Sequence, residues 1–133
     1  MTTFPPITHI ALTVRDLSIS LPWYEALFGS GPDFDQGSGA FSRRPTFRIG
    51  NGMLFALHQH PWLPLDSAFS EFRAGLDHVA FGCADEAEVE KWSCRLDELG
   101  IEHGQIRGTQ YGSALSFRDP DGIALEFFAP PGT

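Results

Sequence analysis

The sequence predicts an α+β fold made of two copies of one βαβββ module, on three observations. First, the chain repeats itself at an offset of 69 residues: His9 matches His78, Ala11 matches Ala80, Asp16 matches Asp85, Trp23 matches Trp92, Leu27 matches Leu96 and Gly31 matches Gly100. Toward the module ends the offset becomes 70, with Phe47 on Phe117, Arg48 on Arg118, Gly52 on Gly122 and Pro61 on Pro131, as one inserted residue requires. Second, each copy opens with a segment that reads as a strand, alternating and β-branched in the first copy, followed by a segment with apolar residues at helical spacing. Third, glycine-rich or Asp-Pro-Asp-Gly turns divide the remainder of each copy into short strands. A repeat of this length is one supersecondary unit used twice. Two such modules can join their sheets into a curved, cup-like mixed sheet with the helices outside.

The elements run in order along the chain. Residues 7–14, ITHIALTV, read as a strand. Asp16 is an N-cap for a helix running to Phe28, with Leu17, Leu21, Tyr24 and Phe28 on one stripe; Pro22 argues for a start nearer Ser20. Gly29 and Gly31 end it. Strands are expected near 33–35, 40–49 and 52–59, joined at Gly37-Ser38-Gly39 and Gly50-Asn51-Gly52. Prolines 61 and 64 keep the connector extended at first, and Asp66 to Arg73 suits a short helical turn. The second copy gives a strand at 76–83 and a helix from Asp85 to Leu99, striped by Val89, Trp92, Leu96 and Leu99 with acids in its first turn. Strands near 102–107, 112–118 and 122–129 complete it, the last two joined by Asp119-Pro120-Asp121-Gly122.

At 133 residues the chain is expected to be a single domain, 1–133, with module one at 5–60, a connector at 61–75 and module two at 76–130. Neither half, at about 65 residues, would bury much surface alone. Net charge is −8 and no basic cluster exists, which argues against nucleic acid. No apolar run approaches a membrane span, and Met-Thr-Thr-Phe-Pro-Pro lacks the features of a signal peptide. Cys83 and Cys94 have neither zinc-site nor disulfide-framework spacing and suit a reducing cytoplasm.

His9, His78 and Glu126 carry the chemistry. The histidines occupy equivalent places on the first strand of each module, and a pseudo-twofold axis can bring such a pair to one metal. Glu126 sits within the apolar strand Ile-Ala-Leu-Glu-Phe-Phe, where a charge is rare unless paired or metal-bound. Two imidazoles and a carboxylate form the facial set of non-haem Fe(II) sites, and the same set holds Mn, Zn, Ni or Co. Taken singly, each residue also fits a plainer role: a hydrogen-bonded strand histidine, or an edge carboxylate in an ion pair.

The motifs are specific enough to name a family. His9 in ITHIALTV followed by Asp16, Trp23-Tyr24-Glu25-Ala26-Leu27-Phe28-Gly29, Leu76-Asp77-His78-Val79-Ala80-Phe81, and Phe117-Arg118-Asp119-Pro120-Asp121-Gly122-Ile123-Ala124-Leu125-Glu126 together resemble the vicinal oxygen chelate superfamily. This is the glyoxalase, bleomycin resistance and extradiol dioxygenase group. The resemblance spans nearly the whole chain and implies paired βαβββ modules around a divalent metal that chelates two oxygens of a substrate. It carries the ligand roles to His9, His78 and Glu126. The acid that glyoxalase I-like members place on the last strand of module one is Ala56 here, which counts against glyoxalase I chemistry. The three-ligand pattern is similar to extradiol dioxygenases and fosfomycin-inactivating transferases. Against those, Ser116 stands where a substrate-touching tyrosine is expected, and Ala11 where the transferases have threonine. The resemblance also implies a homodimer with sites shared between chains, and the connector at 61–75 equally allows both modules of one chain to form the site.

Around the ligands, His58 lies two residues after Ala56 on the same face and is a candidate proton donor or base; a water-bonded rim histidine is the alternative. Tyr111, on a loop, is a second candidate catalytic group. Phe47, Ala56, Ser116 and Phe128 are candidates for the substrate-binding wall, with Phe41, Phe55 and Trp62 as lesser ones. His60 and His103 read as structural and exposed. Arg43, Arg44 and Arg48 can meet an anionic substrate, although the match of Arg48 to Arg118 suggests a structural role. The leading reading is a metal-dependent small-molecule enzyme of dioxygenase, lyase or transferase type. The alternative is a metal-free protein that sequesters a drug or metabolite, as in the bleomycin resistance branch.

Overall fold

The computed structural model describes residues 3–35, 37, 42–64 and 66–132. The chain divides into two compact units, Met1–Ser67 and Ala68–Thr133. The first holds β1 (His9–Thr13), α1 (Leu17–Phe28), β2 (Thr46–Ile49) and β3 (Met53–His58); the second holds β4 (Val79–Gly82), α2 (Glu86–Glu98), β5 (Arg107–Thr109), β6 (Gly112–Arg118) and β7 (Ala124–Ala129). The fold is therefore α+β, with two helices and two mixed sheets, ordered β1-β3-β2 and β4-β7-β6-β5, among the described residues. In each sheet the first strand of the unit lies parallel to the last, and the hairpin strands are antiparallel.

The repeat is legible in the register. Ala11 pairs with Ala56, which in turn pairs with Thr46. At the matching places Ala80 pairs with Glu126, and Glu126 with Ser116. Residues that pair across a sheet project to the same face. The two units therefore present equivalent positions in equivalent rows.

Helix α1 begins at Leu17, three residues before the start that Pro22 suggested. Its first turn is secured from two directions. Asp16 Oδ1 accepts from the Ser18 amide at 2.9 Å and from the Ser18 hydroxyl at 2.7 Å. Gln59 Oε1, just past β3, accepts from the Leu17 amide at 2.7 Å. These bonds fix the turn ahead of Pro22, whose ring faces solvent. Gly29 then ends the helix in the left-handed conformation, φ 80°, its amide bonded to the Glu25 carbonyl. Helix α2 is capped reciprocally: Asp85 Oδ1 accepts from the Glu88 amide, and Glu88 Oε2 from the Ala84 amide.

Each helix covers one face of its own sheet through aromatic rings. In the first unit Tyr24 and Phe28 lie 5.3 Å from Phe55, and Phe28 meets Phe47 edge-on at 4.9 Å. In the second, Trp92 stacks on Phe127 at 4.4 Å and Phe127 stacks on Phe117 at 5.3 Å. The repeated Trp pair is thus unequal: Trp92 joins the stack, whereas Trp23 lies edge-on to Tyr24.

Several expected elements shrink. The strand at 33–35 is a single bridge, Phe34 to Thr46, and that at 102–107 is a bridge from His103 to Phe117 followed by the short β5. Of the strand expected at 40–49, residues 40 and 41 and most of the Gly37-Ser38-Gly39 turn fall outside the described residues; 42–45 are not strand. Asp66 to Arg73 is not helical. The connector turns instead at Leu63 to His60, Ser67 to Pro64 and Arg73 to Ser70. The Asp119–Gly122 turn forms as expected. Buried Asp119 accepts from the amides of Asp121 and Ile123, both at 2.9 Å. Gly112, at the start of β6, has φ 140°, and a Cβ there would meet the Ala129 carbonyl at 2.0 Å, so no side chain fits.

Truncating Phe127 to alanine removes the middle ring of the stack and should cost about 3–5 kcal/mol in urea denaturation; a loss below about 1 kcal/mol would show that the stack is not the core of the second unit. The two cysteines should also separate. Cys83 is buried and its thiol pushed up to about 11, by burial first and then by Glu88 and Asp85, whereas Cys94 is exposed. A thiol-specific disulfide reagent should titrate one thiol per native chain and two in denaturant. Two fast thiols in the native protein would contradict the burial of Cys83.

Candidate functional site

His78 immediately precedes β4, and Glu126 stands in the middle of β7. Both belong to the sheet face away from α2, because Val79, Leu125 and Phe127 take the α2 face. His78 Nε2 lies 3.6 Å from Glu126 Oε1. That is too long for a hydrogen bond. It is close to the separation of about 3.0–3.5 Å expected for two donors each about 2.1 Å from one ion. The other ring nitrogen is already engaged: Nδ1 lies 2.6 Å from Asp77 Oδ1. A proton on Nδ1 shared with a carboxylate leaves the Nε2 lone pair bare and turned toward Glu126, the arrangement that orients metal-binding histidines. Glu126 is the more enclosed of the two, 18% exposed against 46% for His78.

His9 repeats the device in the first unit. Its Nδ1 lies 2.9 Å from Thr8 Oγ1, the residue matching Asp77, and its Nε2 has no partner among the described residues. Neither Thr8 nor Asp77 was singled out from sequence; the signal was their place directly before each repeated histidine. Among the described residues no three His, Cys, Asp or Glu side chains gather within either unit. The second unit supplies two ligands of the expected set, and the third, His9, belongs to the first. Nitrogen and carboxylate donors with an anchored imidazole suit a borderline or hard divalent ion.

The remaining expected residues fall at different places. Ser116 pairs directly with Glu126 on β6 and shares its face; Phe128, two residues along β7, shares that face as well. Ala56, at the position matching Glu126, is 7% exposed and offers no donor. Phe47 is 1% exposed and packs under α1, on the face opposite His9, so it belongs to the helix-side core and not to a substrate wall on the His9 face. Phe55 lies there too, Trp62 is 90% exposed, and Phe41 lies outside the described residues. Tyr111 is 72% exposed at the tip of the β5–β6 hairpin. Ser116, level with Glu126, lies four residues up β6 from Gly112, about 13 Å along the strand, so Tyr111 is not beside Glu126. His58 shares a face with His9 but is paired with Thr13, four positions along β1.

Two other histidines have displaced acidities of opposite sense. His58 sits below the ordinary imidazole range, through burial first, then the Arg44 guanidinium and His60. His103 sits above it, because Nδ1 donates to the Gly104 carbonyl and Nε2 faces Asp97 Oδ1, each at 2.7 Å. It is half-buried, not exposed as expected, and it clamps the end of α2 to the segment before β5. Arg118 is likewise structural: it forks onto Glu71 at 3.0 and 3.1 Å and bonds the Gly122 carbonyl at 2.8 Å. Arg48 lies 5.7 Å over the Phe34 ring, and Arg43 pairs with Asp35.

Likeness to known proteins places the chain that carries this geometry. It matches the model of the Glyoxalase/Bleomycin resistance protein/Dioxygenase superfamily over residues 6–127, and it belongs to that superfamily. Metallothiol transferase FosB of Bacillus licheniformis is 26% identical over 122 residues, covering 90% of this chain and 72% of that one. FosB of Lysinibacillus sphaericus is 28% identical over 127 residues, covering 94% and 82%. The crystal structure of a glyoxylase/bleomycin resistance protein/dioxygenase domain from Frankia sp. EAN1pec is 30% identical, covers 98% of this chain and 96% of its own, and has a TM-score of 0.83. The fosfomycin resistance protein FosX from Listeria monocytogenes, at 24% identity and a TM-score of 0.73, is alike in fold.

In a proton NMR titration His58 should protonate below, and His103 above, the ordinary imidazole pKa of about 6.5; the reverse order would refute both environments. A raised folded pKa gives stability that is complete below the unfolded value and fades as pH rises through the folded one. His103→Ala should therefore lower Tm more at about pH 5.5 than at about pH 8.5.

Proposed function

We propose that this chain is a metal-dependent small-molecule enzyme in which His9, His78 and Glu126 hold a divalent ion. The carrying observation is the His78–Glu126 pair, with Nδ1 2.6 Å from Asp77 Oδ1 and Nε2 3.6 Å from Glu126 Oε1. The bound ion, one of Fe, Mn, Zn, Ni or Co, supplies Lewis-acid polarisation of a chelating oxygen on the substrate. The chain's residues do the rest. Asp77 fixes the His78 tautomer, Ser116 offers a hydroxyl level with Glu126, and Phe128 gives an apolar wall next to it. Relatives named metallothiol transferases favour a group-transfer or lyase-type reaction over dioxygenation. The absence of an acid at Ala56 disfavours glyoxalase I chemistry, which uses a carboxylate base. Of the two candidate proton-transfer groups, His58 shares the face of His9, whereas Tyr111 stands exposed at the β5–β6 hairpin tip, away from Glu126. The working form is a homodimer in a reducing cytoplasm, consistent with two cysteines that form no disulfide.

Elemental analysis of protein purified without chelator or nickel resin should find about one divalent ion per chain. His78→Ala and Glu126→Gln should both lose it, while Asp77→Asn, which keeps the ligand but spoils its orientation, should weaken affinity about 10–100-fold. A chain that arrives empty and refuses each added metal would overturn the reading and leave a metal-free sequestering protein in its place. Mixing His9→Ala with Glu126→Gln chains tests the dimer: recovery of metal in the mixture requires ligands shared between copies.

A further inference from the structure

The sheet face of the first unit that carries His9 and Ala56 also carries a row of donors that the metal reading does not use. Thr13 pairs with His58 across β1 and β3. On the other side, β2 and β3 are antiparallel with Thr46 opposite Ala56, and the Leu57 amide bonds the Pro45 carbonyl. Continuing that register sets Arg44 opposite His58. Residues opposite one another share a face, so Thr13, His58 and Arg44 form one line across three neighbouring segments, about 5 Å apart from each to the next. The His60 ring lies 6.2 Å from that of His58 and flanks the line.

The charges in this row are unusual for this chain. Acids outnumber Lys and Arg 17 to 9, and neighbouring Arg43 takes Asp35 as its partner. Among the described residues Arg44 has no carboxylate partner and the Thr13 hydroxyl no hydrogen bond. Both charged groups acting on His58, Arg44 and His60, oppose its protonation, and no carboxylate offsets them. A half-buried imidazole held beside a guanidinium gains nothing within the fold from that neighbour. An oxyanion is the ligand that would make the grouping favourable: the guanidinium fork takes two of its oxygens, the imidazole N–H and the threonine hydroxyl take others.

We propose that Thr13, His58 and Arg44, flanked by His60, form an oxyanion-binding row that takes a phosphate- or carboxylate-bearing small molecule. Binding at the row requires no metal, so the proposal can fail or stand independently of the one above.

The test is the response of the histidine imidazoles of the full-length protein, followed by heteronuclear NMR near neutral pH. Inorganic phosphate and acetate are titrated separately against sodium chloride of matched ionic strength, with His103 as internal control. The expected result is a saturable shift of His58 and His60 with at least one of the two anions; whichever acts at the lower concentration identifies the headgroup chemistry. Arg44→Gln should weaken binding by about tenfold or more, as loss of a charge-assisted bond does. Thr13→Val should weaken it less, and Arg44→Lys should restore part of what Arg44→Gln removes. Glu126→Gln should leave the response intact. Three results would overturn the row: His58 moving no more with either anion than with chloride, an unchanged response in Arg44→Gln, or a response abolished by Glu126→Gln, which would place the anion at the metal.

Discussion

The parallel pairing of the first strand of each unit with its last is the constraint on which the rest depends. It fixes a register, and the register decides which side chains stand in line. In the second unit it puts Ala80, Glu126 and Ser116 in one row, with His78 one step outside β4. A one-residue slip would send Glu126 under α2, among the rings of Trp92, Phe117 and Phe127, where a carboxylate has no partner. The aromatic stack therefore fixes the face on which Glu126 stands as well as the fold: it makes the alternative register costly.

The same register in both units makes their differences informative. The row of Ala80, Glu126 and Ser116 corresponds to Ala11, Ala56 and Thr46 in the first unit. One unit offers a carboxylate where the other offers a methyl group, and the first instead carries His58 and Arg44 farther along the face. On the reading proposed above, the second unit carries the metal donors His78 and Glu126. The first carries a guanidinium beside an imidazole on the corresponding face.

Much of this was legible in the sequence because repeats are matched residue by residue, needing no knowledge of packing. The offset paired His9 with His78, a charge inside an apolar strand singled out Glu126, and the change of offset matched Ala56 to Glu126. Strong local signals also carried through: Asp16 and Asp85 as caps, Gly29 as a stop, Asp119 to Gly122 as a turn. The features that were not legible depended on contacts distant in sequence. Pro22 counts against an early helix start until Gln59, on another element, is seen to hold the first turn. Phe47 and Phe128 look alike as strand aromatics, yet one faces a helix and the other does not; a period of two gives alternation but not its phase. The row of Thr13, His58 and Arg44 draws on three separate segments, and no spacing along the chain reveals it.

The pairing of first strand with last also sets an order in time. As the chain leaves the ribosome, β1 has no partner until β3 emerges, from residue 9 to residue 54, and β4 waits likewise from residue 79 to residue 125. Each unit must hold its opening strand unpaired while the helix and hairpin are made, and such non-local closure is the slow part of folding. Because both units close over nearly the same length of chain, neither has an entropic advantage. Synthesis alone gives the first unit its head start, and a β1 that finds its own β3 before β7 exists is spared competition from the equivalent strand of the second unit.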